Sequence, residues 1–138
     1  MNNMNSLLEL AKKSFNGHMS YSEKRPGIYQ IFLPFYHEDG DMVEVYLEQT
    51  ESNKFLLCDY GMTIMRLSYS YEIDSPTKEK IFQRILSENS LYESEGNIQC
   101  FTNENTIYTD TLNTIQTLLK ISSMKYFKRE VVKSLFYE

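Results

Sequence analysis

The chain has 138 residues, a formal net charge of −5, and a composition in which 41% of residues are apolar and 24% are charged. This length is typical of one domain with a single hydrophobic core, and the balance of apolar and charged residues excludes wholesale disorder. No apolar run approaches the ~20 residues of a membrane-spanning helix, and the N-terminus lacks the features of a signal peptide, so we expect a cytoplasmic protein.

The N-terminal half predicts one helix followed by a three-stranded antiparallel meander. Apolar residues at helical spacing indicate a helix at about 4–15. Strands are predicted at 28–35, 42–49 and 54–59, where apolar residues alternate with polar ones or form a short run. The first two strands are separated by the polar stretch 37–41, which contains an Asp-Gly turn signal.

The strand at 42–49 has the clearest alternation in the chain. Its apolar side consists of Val43, Val45 and Leu47, and its other side carries Glu44, Tyr46 and Glu48. Because successive side chains of a strand point to opposite faces, we expect the first set to face the core and the second to face solvent.

The C-terminal half predicts helices around a second hairpin. A short helix contains Ile64, Met65 and Leu67, and a second helix starts at Ser75-Pro76 and ends near Asn89. A hairpin at 91–101 precedes a long C-terminal helix that begins near residue 104. We therefore predict a single α+β domain over 1–138, with an antiparallel meander sheet, a second hairpin, and helices packed on one face of the sheet.

Charge is distributed unevenly along the chain. Residues 35–60 sum to −6, whereas residues 111–138 sum to +3. On a continuous helix Lys125, Arg129 and Lys133 would form one basic ridge. An acidic surface repels phosphate backbones and attracts a basic groove on a partner, although exposed strands also carry charges simply to prevent aggregation.

Cysteine and histidine, which often act in catalysis or metal binding, do not cluster in this sequence. Cys58 and Cys100 form no metal-binding motif, and we expect both to be small buried side chains. His18 and His37 lie in predicted turns, away from any nucleophile motif. No P-loop or dinucleotide-binding motif occurs, so we expect no cofactor and no catalytic residue.

One stretch resembles a sequence motif more than any other part of the chain, namely Asp59-Tyr60-Gly61-Met62-Thr63. The structural interpretation is that Gly61 adopts positive φ in a strand-to-helix turn while Asp59 or Thr63 accepts backbone N–H groups at the helix start. The alternative is that Asp59 is a catalytic carboxylate.

These residues, together with Pro34, Gly40-Asp41, Tyr46 and Leu67, resemble a bacterial and phage family known as domain of unknown function 1828. The resemblance covers about residues 25–125 and has the pattern P…GD…Y…D-x-G-x-T…L. It implies no established activity, so it assigns no site residues. It does imply a genomic context in prophages and mobile elements.

A role in protein binding is our first hypothesis for the function. The protein would be a phage or mobile-element accessory factor that occupies a host or competitor protein, in the specific form of an inhibitor of a bacterial defence nuclease. The predicted partner-binding residues are Tyr36, Asp39, Asp41, Glu44, Tyr46 and Glu48, since tyrosine is favoured at interfaces and carboxylates can replace phosphates.

Two further interpretations stay open from the sequence. A small metal-dependent nuclease would use Asp41 and Asp59 to hold a cation. A nucleic-acid-binding regulator would instead use the basic ridge of Lys125, Arg129 and Lys133. An exposed sheet edge could also pair with a second copy of the chain to form a homodimer.

Overall fold

The structure is a computed structural model that describes residues 3–51 and 53–127. It contains four α-helices, α1 (Met4–Ser14), α2 (Met62–Ser68), α3 (Pro76–Glu88) and α4 (Ile107–Ser122), and a 3-10 helix at Ser123–Phe127. Its six strands are β1 (Ser20–Arg25), β2 (Ile28–Phe32), β3 (Val45–Glu51), β4 (Lys54–Cys58), β5 (Tyr92–Ser94) and β6 (Asn97–Thr102). The predicted α+β class is confirmed.

The six strands form one antiparallel sheet in the order β1-β2-β3-β4-β6-β5. The first four strands are a meander, and β6 then pairs with β4, which places the β5–β6 hairpin at the far edge. The meander therefore has four strands rather than the three predicted, because β1 was missed.

In the connection between β2 and β3, the backbone pairing of the two strands is interrupted. Pro34 has no N–H to donate, and the strand predicted to run to residue 35 ends at Phe32. The chain pairs again at an isolated bridge between Tyr36 and Met42, and a turn closes between them where His37 N donates to Asp41 O at 2.8 Å.

One hydrophobic core lies between the helices and one face of the sheet. The alternation predicted for β3 is confirmed, since Val43, Val45 and Leu47 are buried and the residues between them are partly exposed. These residues share a single cluster with apolar side chains from all four helices, including Leu8, Leu67, Leu86 and Leu118. The helices thus pack on one face of the sheet, which we call the core face, and we call the opposite one the outer face.

Helix boundaries follow the local signals. In α3, Ser75 caps the helix by accepting from Lys78 N at 3.2 Å, and Pro76 follows in the first turn as predicted. The core side of α4 buries three threonines, Thr111, Thr114 and Thr117, beside its apolar residues. No helix in the described part of the chain is both long and apolar enough to cross a membrane.

Candidate functional site

The outer face is built from side chains that alternate with those of the core. Residues directly opposite each other on neighbouring strands point to the same face of the sheet. The pairs that include Tyr46 and Glu48 therefore identify the residues of the outer face. One row crosses five strands and contains Gln30, Tyr46, Cys58, Gln99 and Tyr92, and the next contains Arg25, Ile28, Glu48, Leu56 and Phe101. At about 4.8 Å between strands, the six strands span roughly 24 Å.

Four side chains at the centre of this face form a cluster of two tyrosines and two carboxylates. The Tyr46 hydroxyl donates to Glu44 Oε1 at 2.7 Å, and the Tyr60 hydroxyl donates to Glu48. The two phenol rings meet edge to face, with their centroids 5.0 Å apart. We call Glu44, Tyr46, Glu48 and Tyr60 the tyrosine–carboxylate cluster.

Burial raises the pKa of both phenols in the cluster, and the adjacent carboxylate raises each one further. Tyr46 and Tyr60 are therefore neutral hydrogen-bond donors at any physiological pH. Each carboxylate keeps an oxygen that these bonds do not use. The cluster can accept hydrogen bonds from a partner, and its rings offer apolar surface beside them.

The backbone at Tyr60 directs its side chain back over the sheet. Tyr60 has φ of 50°, an uncommon value for a residue with a side chain, and its N–H donates to Asn97 Oδ1 at 2.8 Å. The neighbouring Cys58 is completely buried although it lies on the outer face. Sequence reasoning missed Tyr60 because its orientation depends on this turn.

Apolar and basic side chains surround the cluster on the same face. Phe101 is 54% exposed and Tyr92 is 42% exposed, both on the β6–β5 side. On the β1 side, the Lys24 amine lies 5.6 Å from the centroid of the Phe32 ring, and Arg25 is opposite Ile28. The negative charge of the outer face is therefore confined to the central strand.

The other three predicted binding residues lie on the β2–β3 connection. Tyr36 is exposed and bridges to Met42. Asp39 and Asp41 both accept from Arg66 of α2, with Nη2 2.6 Å from Asp39 Oδ2 and Nη1 2.8 Å from Asp41 Oδ2. The backbone N–H of Asp41 and then the Arg66 guanidinium lower the pKa of Asp39. Both carboxylates are thus partly neutralised within the chain.

Residues from three elements surround His37 beside these ion pairs. Its Nδ1 lies 3.1 Å from Ser122 Oγ at the end of α4, and the neighbouring Glu38 pairs with Lys125 of the 3-10 helix. His37 is only 5% exposed, and burial lowers its pKa. The imidazole is therefore neutral at pH 7.

Asp59 joins three elements through its carboxylate. Its Oδ1 accepts from Gly61 N at 2.9 Å and from Ile98 N at 3.0 Å, and its Oδ2 accepts from Thr63 N at 3.0 Å. Gly61 adopts φ of 78°, as the turn requires. The side chain of Asp59 has no exposed surface. The structural interpretation therefore explains the Asp59 carboxylate and Gly61 of the motif, and Thr63 contributes its backbone N–H.

The two carboxylates of the nuclease interpretation have different partners. Asp59 accepts backbone N–H groups in the interior, whereas Asp41 accepts from Arg66 at the surface. Within residues 3–51 and 53–127, no group of three His, Cys, Asp or Glu side chains is arranged to hold a metal ion.

The basic ridge lies mostly outside the described residues. Lys125 is in the 3-10 helix and pairs with Glu38, and its amine also lies 5.4 Å from the Tyr126 ring centroid. Arg129 and Lys133 are beyond the part of the chain that the structure describes.

Comparison with known proteins identifies one family. The search of curated proteins and the search of solved structures both find no match. The family model described as domain of unknown function DUF1828 matches residues 33–121, which include the Asp59 junction, the β5–β6 hairpin and α4. Since this match spans well over half of the 138 residues, the chain belongs to the DUF1828 family.

Proposed function

We propose that this protein acts by binding another protein through the outer face of its sheet. The observation that carries the proposal is that the helices pack on the core face, while the outer face presents a tyrosine–carboxylate cluster beside exposed aromatic rings. Aromatic side chains supply much of the binding energy at protein interfaces and cost little conformational entropy. A face with several of them fits a docking surface.

The charge of the cluster favours a partner with a basic contact surface. Glu44 directly precedes β3 and Glu48 lies within it; at the spacing of an extended chain their Cα atoms are roughly 13 Å apart. Arginine or lysine side chains of a partner could pair with both carboxylates, while Tyr46 and Tyr60 offer ring faces and edges for cation–π contact. Such complementarity sets orientation and association rate more than affinity.

In its most specific form, the proposal is that the partner is a bacterial defence nuclease in the cytoplasm. The protein would be an inhibitor encoded by a phage or another mobile element. The carboxylates of β3 would occupy the basic groove in which the nuclease holds nucleic-acid phosphates. The support for this form is the acidity of the central strand and the genomic context that the family resemblance implies.

The experiment compares charge-reversed variants in a lysate of the cell that carries the gene. We expect the wild-type protein to retain a partner that Glu44→Lys/Glu48→Lys loses. The control is Glu88→Lys, because Glu88 lies on the exposed surface of α3, an element packed on the core face. Circular dichroism and thermal unfolding should show that all three proteins are folded.

Retention of the same partner by wild type and by Glu44→Lys/Glu48→Lys would refute the outer-face proposal. For the nuclease form, the retained partner is purified and assayed on DNA and RNA with and without the protein. Unchanged cleavage would refute inhibition of a nuclease while leaving the docking surface intact.

A further inference from the structure

A polar pocket of about 380 Å3 lies away from the outer face, where the β2–β3 connection meets α2 and the end of α4. Its walls include His37, Arg66, Ser70, Ser122 and Lys125. This volume is in the range of pockets that hold small molecules. The pocket combines two cations, their carboxylate partners Glu38, Asp39 and Asp41, hydroxyl groups and a buried imidazole.

The two cations are less exposed to solvent than their carboxylate partners. The side chains of Arg66 and Lys125 are 23% and 24% exposed, whereas those of Asp39, Asp41 and Glu38 are 51%, 68% and 42% exposed. Breaking an ion pair costs little free energy when its carboxylate is exposed, because water then solvates the carboxylate. The carboxylates can therefore act as exchangeable counterions for fixed cations.

Donors remain on the cations after these ion pairs form. A guanidinium has five N–H groups, and Arg66 uses two of them on Asp39 and Asp41. An ammonium has three, and Lys125 uses one on Glu38. The Ser122 hydroxyl next to His37 also borders the pocket. An entering anion would meet donors from α2, α4 and the 3-10 helix.

We propose that this pocket binds the phosphate group of a small phosphorylated molecule and that Asp39 and Asp41 act as internal counterions when it is empty. A planar guanidinium together with a lysine ammonium and hydroxyl donors is the donor set typical of phosphate recognition. Tyr69, which is 81% exposed at the rim, offers a ring face to the organic part of the ligand.

The probe is inorganic phosphate, titrated at constant ionic strength against the full-length protein and followed by 1H–15N chemical shifts. We expect saturable shifts centred on Arg66, Tyr69, Ser70 and Ser122. Asp39→Asn/Asp41→Asn should bind phosphate about tenfold more tightly, because two negative charges beside the anion are removed. Arg66→Gln should abolish the saturable shifts.

The control variant is Arg84→Gln, which removes an exposed cation of α3 and should leave phosphate binding unchanged. Shifts that do not saturate, or that persist in Arg66→Gln, would show a general salt effect and overturn the proposal. Unchanged or weaker binding by Asp39→Asn/Asp41→Asn would also overturn it. Asp39→Asn/Asp41→Asn also controls for misfolding, because a misfolded protein would not bind phosphate more tightly.

Discussion

The imidazole of His37 is almost completely buried, although the loop around it is polar and exposed. Several charged groups face it. Arg66 from α2 and Lys125 from the 3-10 helix disfavour its protonation, and Asp39 and Asp41 from its own loop favour it. Burial is the largest influence, so the folded protein binds a proton at His37 less readily than the unfolded chain does.

This difference predicts a pH dependence of stability. As the pH falls below about 6.5, the unfolded chain gains a proton at His37 that the folded protein does not, so the free energy of unfolding decreases. The decrease continues down to the lowered pKa of the folded protein, with a slope of at most about 1.4 kcal/mol per pH unit. Urea denaturation between pH 8 and pH 5 measures this slope.

His37→Gln should flatten the slope, because it removes the imidazole that the folded protein protonates less readily than the unfolded chain. An equal slope in wild type and His37→Gln would show that other groups cause the pH dependence.

Sequence reasoning located His37 in its turn but did not predict its burial. Its surroundings come from residues far away in the chain, since Ser122 is 85 positions from it. Arg66 was likewise overlooked as the partner of Asp39 and Asp41, from which it is 27 and 25 positions away. Local patterns give the residue types, and only the tertiary fold determines which of them meet.

At the level of elements, Asp59 stabilises the junction of β4, α2 and β6. Its carboxylate accepts three backbone N–H groups at the start of α2 and the end of the β4–β6 ladder, which would otherwise have no acceptor. The pattern of Asp, Gly and Thr at alternate positions therefore specifies a strand-to-helix turn and its attachment to a distant strand.

Asp59→Ala should lower the free energy of unfolding by about 3 kcal/mol or more, because it leaves buried N–H groups without an acceptor. Asp59→Asn should cost less, since its carbonyl oxygen can still accept from Gly61 and Ile98. The matched control is Asp74→Ala at an exposed ion pair with Lys78, which should cost much less than Asp59→Ala because water screens the pair. Chemical denaturation measures all three, and a similar loss in the two alanine variants would contradict the role of Asp59.

Most elements were predictable because each has a strong local signal. The capped start of α3, the Glu-Gly turn of the β5–β6 hairpin and the alternation of β3 are of this kind. Strand β1 was missed because five of its six residues are exposed, and its partly buried residue is Tyr21. An edge strand with so little apolar surface has no period-2 signal to detect.

At the scale of the whole molecule, the order of elements was enough to predict a sheet with helices on one face. The strand order was not predicted, because nothing in the sequence pattern indicates that β6 pairs with β4 rather than with an outer strand. The candidate docking surface was foreseen in part. Glu44, Tyr46 and Glu48 do lie on the outer face, whereas Tyr60 reaches it through the turn after β4 and Phe101 through the register of β6.

The difference between the two faces can be tested on a single strand. Ile98 on the core face is completely buried, and Phe101 on the outer face is half exposed, although both belong to β6. Ile98→Ala should lower the free energy of unfolding by about 2–5 kcal/mol. Phe101→Ala should cost about 1 kcal/mol or less, because most of the ring keeps its contact with water. Comparable losses in urea denaturation would show that the outer face is covered.

The complete burial of Cys58 has a consequence for the redox chemistry of the protein. Burial raises the pKa of the Cys58 thiol to about 12, so at pH 7 only about one molecule in 10⁵ carries the reactive thiolate. Burial raises the pKa of Cys100 as well. Peroxide and alkylating reagents react with the thiolate, so we expect both buried thiols to react with them more slowly in the folded protein than in urea, which a thiol-labelling time course measures.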